Sequence, residues 1–222
     1  MRNKSKLCLF QACAGAALIG MVYGVFNLQV KIKRLTVFSG VFALLIWGLA
    51  VLQPAAAGPY RDYAASLNAH PPAGSKYRPD LEQELVALAN AYRSGEGKKA
   101  FQADPTFHAA ARAHAADMMI NGFMGHKAST GHDFDSRMRA FVEDITRYPG
   151  LAENAARDTQ KSPVDARKAQ ALFAQWVKSR PHRKALLSRN YQFVSTGVIQ
   201  SGSKIWAVQI FFAAPRAKGL FQ

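Results

Sequence analysis

Between Asp80 and Ser179 apolar residues recur at helical spacing, and from Phe193 the chain turns into two short runs of Val, Ile, Phe and Trp. That change of period limits the fold more than any other feature, because helices and a terminal hairpin must then share one layered core. Leu81, Leu85, Leu88, Ala89 and Tyr92 make the first stripe. Asp80 is placed to cap it, with Gln83 three positions on, and Gly95 and Gly97 close it. A second helix is expected from about Pro105 to Ile120, with Phe107, Ala110, Ala111, His114 and Met118 inward and Gly122 and Gly125 at its end. Residues 125–150 are loop-rich, with a short helix around Asp135–Val142. A third long helix is expected from near Pro163 to Ser179, burying Phe173, Trp176 and Val177. Pro181 disfavours helix in the residue before it, so the chain should break there and re-enter the core at Leu186 and Leu187. His182 lies at that seam, where an imidazole can face a cleft. Phe193–Gln200 and Lys204–Ala213 read as strands joined by a turn at Ser201-Gly202-Ser203. The fold class is α+β.

The first 57 residues follow different rules. They hold six of the 29 Lys and Arg and none of the 14 Asp and Glu. Two apolar runs, 7–28 and 35–52, flank Lys31, Lys33 and Arg34, and small residues follow at Ala55-Ala56-Ala57. This is the pattern of a secretory signal cleaved after Ala57, although the second run is also long enough for an uncleaved anchor. If the first run spanned a bilayer, Lys31, Lys33 and Arg34 would face outward, against the positive-inside tendency. A translation start near Met21 or Val30 removes the conflict. Residues 58–79, rich in Pro, Gly, Ala and Tyr, read as a linker or loose arm, and 216–222 as a basic tail. From Gly58 onward 23 basic residues face 14 acidic ones, a balance of +9 that favours anionic partners. Both cysteines, Cys8 and Cys13, precede the domain, so packing rather than a disulfide must stabilise it.

Several motifs then stand in register. They are Asn90 and Arg93; Phe101-x-x-Asp104-x-x-Phe107; His126 after Gly-Phe-Met-Gly; Ala152-Glu153-Asn154; Trp176-x-x-Ser179-x-x-His182-Arg183; and Gly197-Val198 with Val208-Gln209-Ile210-Phe211. In this order they resemble the CAP superfamily, or SCP domain, of cysteine-rich secretory, venom-antigen and pathogenesis-related proteins. The lack of cysteines points to its bacterial branch. The resemblance implies a domain over 80–215 folded as an α-β-α sandwich, with a small antiparallel sheet between helical layers. It also implies export to the periplasm or the cell exterior.

By the same resemblance the cleft falls on His126, Glu153 and His182, with Ser179 and Arg183 beside it. The family's glycine before the acidic residue is Ala152 here. Its second acidic residue has Ser179 near its place, and a further histidine aligns with Trp206, so three site residues are expected rather than four. Two histidines and a glutamate make a ligand set for Zn2+ or another divalent metal. The competing reading is a hydrogen-bonded network in which Glu153 pins loop ends. The function expected is binding of an envelope or extracellular ligand, lipid, polymer or protein and of anionic character, with a metal-dependent peptide or ester hydrolase as the alternative. Arg180, Arg183, Lys184 and Arg189 suggest an anion-attracting rim near His182. His114 reads as a packed core histidine, His132 as a loop residue that can line the cleft, and His70 and His108 as surface positions. Nucleic acid is not expected, because basic and aromatic residues do not interleave. Membrane contact is expected only through the amino-terminal segment, if it stays attached.

Overall fold

A computed structural model describes residues 57–217. The two amino-terminal apolar runs, the signal, the alternative starts and residues 218–222 lie outside the described residues. In chain order the elements are α1 (Ala57–Ala69), β1 (Ser75–Tyr77), α2 (Pro79–Gly95), β2 (Gln102–Ala103), α3 (His108–Asn121), α4 (Phe134–Arg139), a single 3-10 turn (Ile145–Arg147), β3 (Leu151–Asp158), α5 (Ala166–Lys178), α6 (Arg180–Leu187), β4 (Phe193–Ser201) and β5 (Lys204–Phe212).

The strand order is β1-β4-β5-β3, antiparallel throughout, and β2 adds a two-residue parallel pairing to β4. Because β5 occupies one side of β4, β1 and β2 sit in succession along the other. Alternation along β5 divides the core between two layers. Ile205, Ala207 and Phe211 pack with Leu81, Leu85, Leu172 and Trp176 of α2 and α5, whereas Trp206, Val208, Ile210 and Phe212 pack with Phe107, Ala111 and Met118 around α3. Helices therefore cover both faces. Each fully buried side chain of the size of Leu85, Phe211 or Trp176 contributes about 1.5–3 kcal/mol relative to exposure.

Close approach, rather than bulk, seats α3 on the sheet. A methyl group at Gly197 of β4 would lie 2.3 Å from the Arg112 backbone nitrogen and 2.5 Å from the Ala111 carbonyl carbon. Only glycine permits that contact. Glu82 of α2 accepts both Arg112 guanidinium hydrogen bonds (2.7 Å each) and the Val198 N–H (3.1 Å), tying α2, α3 and β4 together.

The segment expected to be a linker is structured. Tyr60 and Ala64 of α1 are fully buried against α3 and its neighbours, and β1 pairs with the end of β4. Pro71, Pro72 and Gly74 mark the connection between α1 and β1, which explains in part why the composition looked loose. The Asp80–Gln83 capping box does not form. Pro79 occupies the first helical turn of α2, and Asp80 instead pairs with Arg78. The third long helix begins three residues later than Pro163, where the Asp165 carboxylate accepts from the Arg167 and Lys168 N–H groups. The break at Ser179 is present: its N–H closes α5 on Gln175 O, its C=O opens α6 by accepting from Arg183 N–H, and Arg180 itself is helical. At the other end, Arg216 and Arg147 bond reciprocally (N to O 2.7 Å, Nε to O 2.9 Å), so the expected tail is held at its start.

Candidate functional site

β3 carries Glu153 and Asn154 in succession, and a strand sends successive side chains to opposite faces. Glu153 points to the α3 layer, with Leu151 and Ala155, whereas Asn154 points to the α5–α6 layer, with Ala152 and Ala156. The Glu153 side chain is 1% exposed. Arg137 of α4, also fully buried, donates from Nη1 to its Oε1 (3.1 Å) and from Nη2 to its Oε2 (2.7 Å). His126 Nδ1 donates to the same Oε1 (2.9 Å). Burial alone would raise the Glu153 pKa, but the Arg137 charge and the hydrogen bonds outweigh it and hold the carboxyl at about 2.

Arg137 is the organising residue that sequence reasoning missed. It also donates to the His126 carbonyl (2.7 Å), and its Nε donates to Tyr60 OH (3.3 Å), so α1, α4, β3 and the His126 loop meet on one guanidinium. Nothing about an arginine in a short polar helix announces this role. The signal would have been a buried glutamate with no other cation in reach. Asp133 starts that helix by accepting from Ser136 N–H, which places Arg137 one turn in.

His114, read as a core histidine, is fully buried as expected but also belongs here. Its Nε2 donates to Gly125 O (2.8 Å) and lies 3.7 Å from Glu153 Oε1. Burial lowers its pKa in spite of Glu153, so it is the neutral member of the group. His126 is the opposite case. Its side chain is 52% exposed, and the Glu153 hydrogen bond raises its pKa despite partial burial. The Nε2 of His126 has no partner among the described residues, so it is the group available to a ligand.

His182 stands apart. Its carbonyl accepts from Asn154 Nδ2 (3.1 Å), which fixes the start of α6 against β3 on the face away from Glu153. Its pKa is lowered, first by burial and then by the charge of nearby His126, with no hydrogen bond between the two rings. Ser179 and His182 line a cavity of about 420 Å³ with Met124, Gln175 and Trp176. The indole N–H of Trp176, a wall residue, finds no acceptor among the described residues. Arg183 donates to Val177 O (2.8 Å) and so caps α5. His132 bonds Thr130 and packs on Tyr60, and His108 pairs with Glu82 (3.0 Å), more engaged than a free surface position.

The three expected metal ligands do not form a cradle. Among the described residues no three His, Cys, Asp or Glu side chains are arranged to hold one ion. The reason is local: both Glu153 oxygens are committed to Arg137, and the alternation of β3 turns that carboxylate away from α6. The arrangement does suit proton placement, with a fixed carboxylate orienting one imidazole, as in an oriented acid–base pair. No hydroxyl or thiol among the described residues bonds His126, and Ser129 is held by Asp117 (2.5 Å).

A family model described as CAP, the cysteine-rich secretory protein family, matches residues 86–211. The chain belongs to the CAP family. YkwD, an uncharacterized protein of Bacillus subtilis (strain 168), is 36% identical over 129 residues, 58% of this chain and 46% of its own. The CAP chain thus spans about half of that relative's length. Two solved structures share the fold. An extracellular protein containing a SCP domain from Bacillus anthracis str. Ames has a TM-score of 0.50 at 22% identity, over 61% of this chain and 41% of its own. An outer surface protein from Borrelia burgdorferi has a TM-score of 0.52 at 13% identity, over 63% and 98%. The α-β-α sandwich expected of a bacterial CAP domain is therefore the fold of this chain. It is built without any cysteine in the matched region. No helix among the described residues is long and apolar enough to cross a membrane.

Proposed function

We propose that this CAP domain is an exported binding module for an envelope or extracellular ligand, and that His126 presents a hydrogen-bond donor to an anionic or strongly accepting group of it. The observation that carries the reading is a half-exposed imidazole held by a wholly buried Glu153–Arg137 pair. A carboxylate on Nδ1 fixes the ring and favours its protonated form, leaving Nε2–H to the cleft. Export is supported by the signal-like amino terminus and by the extracellular and outer-surface descriptions of the two structural neighbours. The cavity of about 420 Å³ beside His182 supports a ligand that extends past His126.

The test is to record imidazole resonances of the purified chain while adding envelope extracts fractionated by charge. A bound fraction should shift His126, and His126→Gln should weaken its capture without unfolding the domain. If no fraction moves His126, binding at this cleft is wrong. If ester or peptide substrates are turned over and Glu153→Ala abolishes this, hydrolysis replaces binding as the function.

A further inference from the structure

A second cavity lies away from this cleft, where the end of α2, the loop to β2 and the approach to β4 meet. It has a volume of about 600 Å³, and four of its wall residues are Arg93, Lys98, Lys99 and Arg189. No acidic residue lines it among the described residues. Glu96 is close in sequence but is not on the wall.

Arg93 makes this more than a patch of surface lysines. It is 2% exposed. Nε donates to Lys99 O (2.6 Å), Nη1 donates to Leu186 O (2.6 Å) and Ser188 O (2.9 Å), and the guanidinium carbon lies 3.8 Å from the Phe101 ring centroid. These contacts hold the Lys98–Lys99 loop and the end of α6 around one cation. Nη2 bonds no described residue, and among the described residues no carboxylate approaches any of the four cations within ion-pair distance. Burial lowers the Arg93 pKa. Buried charges are ordinarily paired. The other buried cations of this domain, Arg137 and Lys168, face Glu153 and Asp158. Arg93 alone among them faces a basic hollow.

We propose that this hollow is an oxyanion site for a phosphate group, with Arg93 as its fixed floor, Lys98, Lys99 and Arg189 as its adjustable wall, and Gln102 and Gln192 as neutral donors at its rim. A planar guanidinium locked by carbonyls is pre-organised for a phosphate oxygen, and flexible ammonium groups close over the remaining ones. The same chemistry suits a phosphate monoester or the phosphodiester of a lipid headgroup or envelope polymer. The site is independent of the His126 cleft, since it shares no residue with it.

The test titrates the full-length chain, held in an uncharged detergent, with inorganic phosphate and separately with glycerophosphoglycerol, by calorimetry at low salt. At least one probe should bind, and its affinity should fall as salt rises. The variant K98Q/K99Q/R189Q changes only wall residues and should bind at least about tenfold more weakly. K76Q/K161Q/K204Q removes the same charge from exposed positions elsewhere and should bind as the parent does. The tighter probe identifies the source of the phosphate, monoester or diester. Binding of neither probe would overturn the proposal, and so would equal weakening in both triple variants, which would mean that net charge alone attracts the anion. Arg93→Lys keeps the charge but loses the carbonyl lock. In a folded Arg93→Lys variant, unchanged affinity would also count against the assigned floor.

Discussion

Arg137 donates two hydrogen bonds to Glu153 where both side chains are buried, so removing either leaves an uncompensated charge. Arg137→Met should cost about 3–5 kcal/mol in denaturant unfolding. The carboxyl titrates near 2 in the folded chain, below its ordinary value of 4.5. A depressed folded pKa stabilises above the unfolded pKa, and that stability is lost as pH falls. Roughly 3 kcal/mol should therefore disappear between about pH 5 and pH 2, and an acid titration of unfolding free energy reads it directly. His126 and His182 should diverge in the same experiment followed by NMR. His126 is raised by Glu153, and His182 is lowered by burial and by His126. On acidification His126 should protonate first, and Glu153→Gln should bring its pKa down. Coincident titration of the two rings would contradict the geometry.

Helices and strands form where side-chain spacing demands, but their seating depends on contacts that spacing does not encode. Gly197 lies 2.3 Å from the α3 backbone as judged by an added methyl, so Gly197→Ala must push helix and sheet apart. A loss of about 1–3 kcal/mol is expected, with the largest amide shifts at Ala111 and Arg112. Asp165→Ala should remove about 1 kcal/mol by uncapping α5, a smaller and local effect. The stripes of α2, α3 and α5 and the terminal hairpin were legible because their apolar period is long and regular. α1 was not. It is amphipathic only weakly, and what it buries, Tyr60 and Ala64, is recognisable only once α3 and Arg137 are in place. Site residues divide the same way. His126 and Glu153 came from motifs in register, whereas Arg137 and the role of His114 came from long-range packing.

For the molecule as a whole, a sandwich with helices on both faces of one sheet has no need of covalent staples. Because neither cysteine falls among residues 58–222, reductant should leave the thermal midpoint of the domain unchanged. A midpoint that drops on reduction would mean that Cys8 or Cys13 contributes to its stability. Deleting the residues up to Ala69 should lower that midpoint, because it strips Tyr60 from the Arg137 cluster and exposes α3. β3 carries a further consequence. It sends Glu153 to one helical layer and Asn154 to the other. A slip of a single position would exchange carboxylate and amide, stranding Arg137 and unfastening α6 together. A misregistered β3 would thus leave the Glu153–Arg137–His126 cluster unassembled, so the environment of the His126 ring reports directly on completed strand pairing.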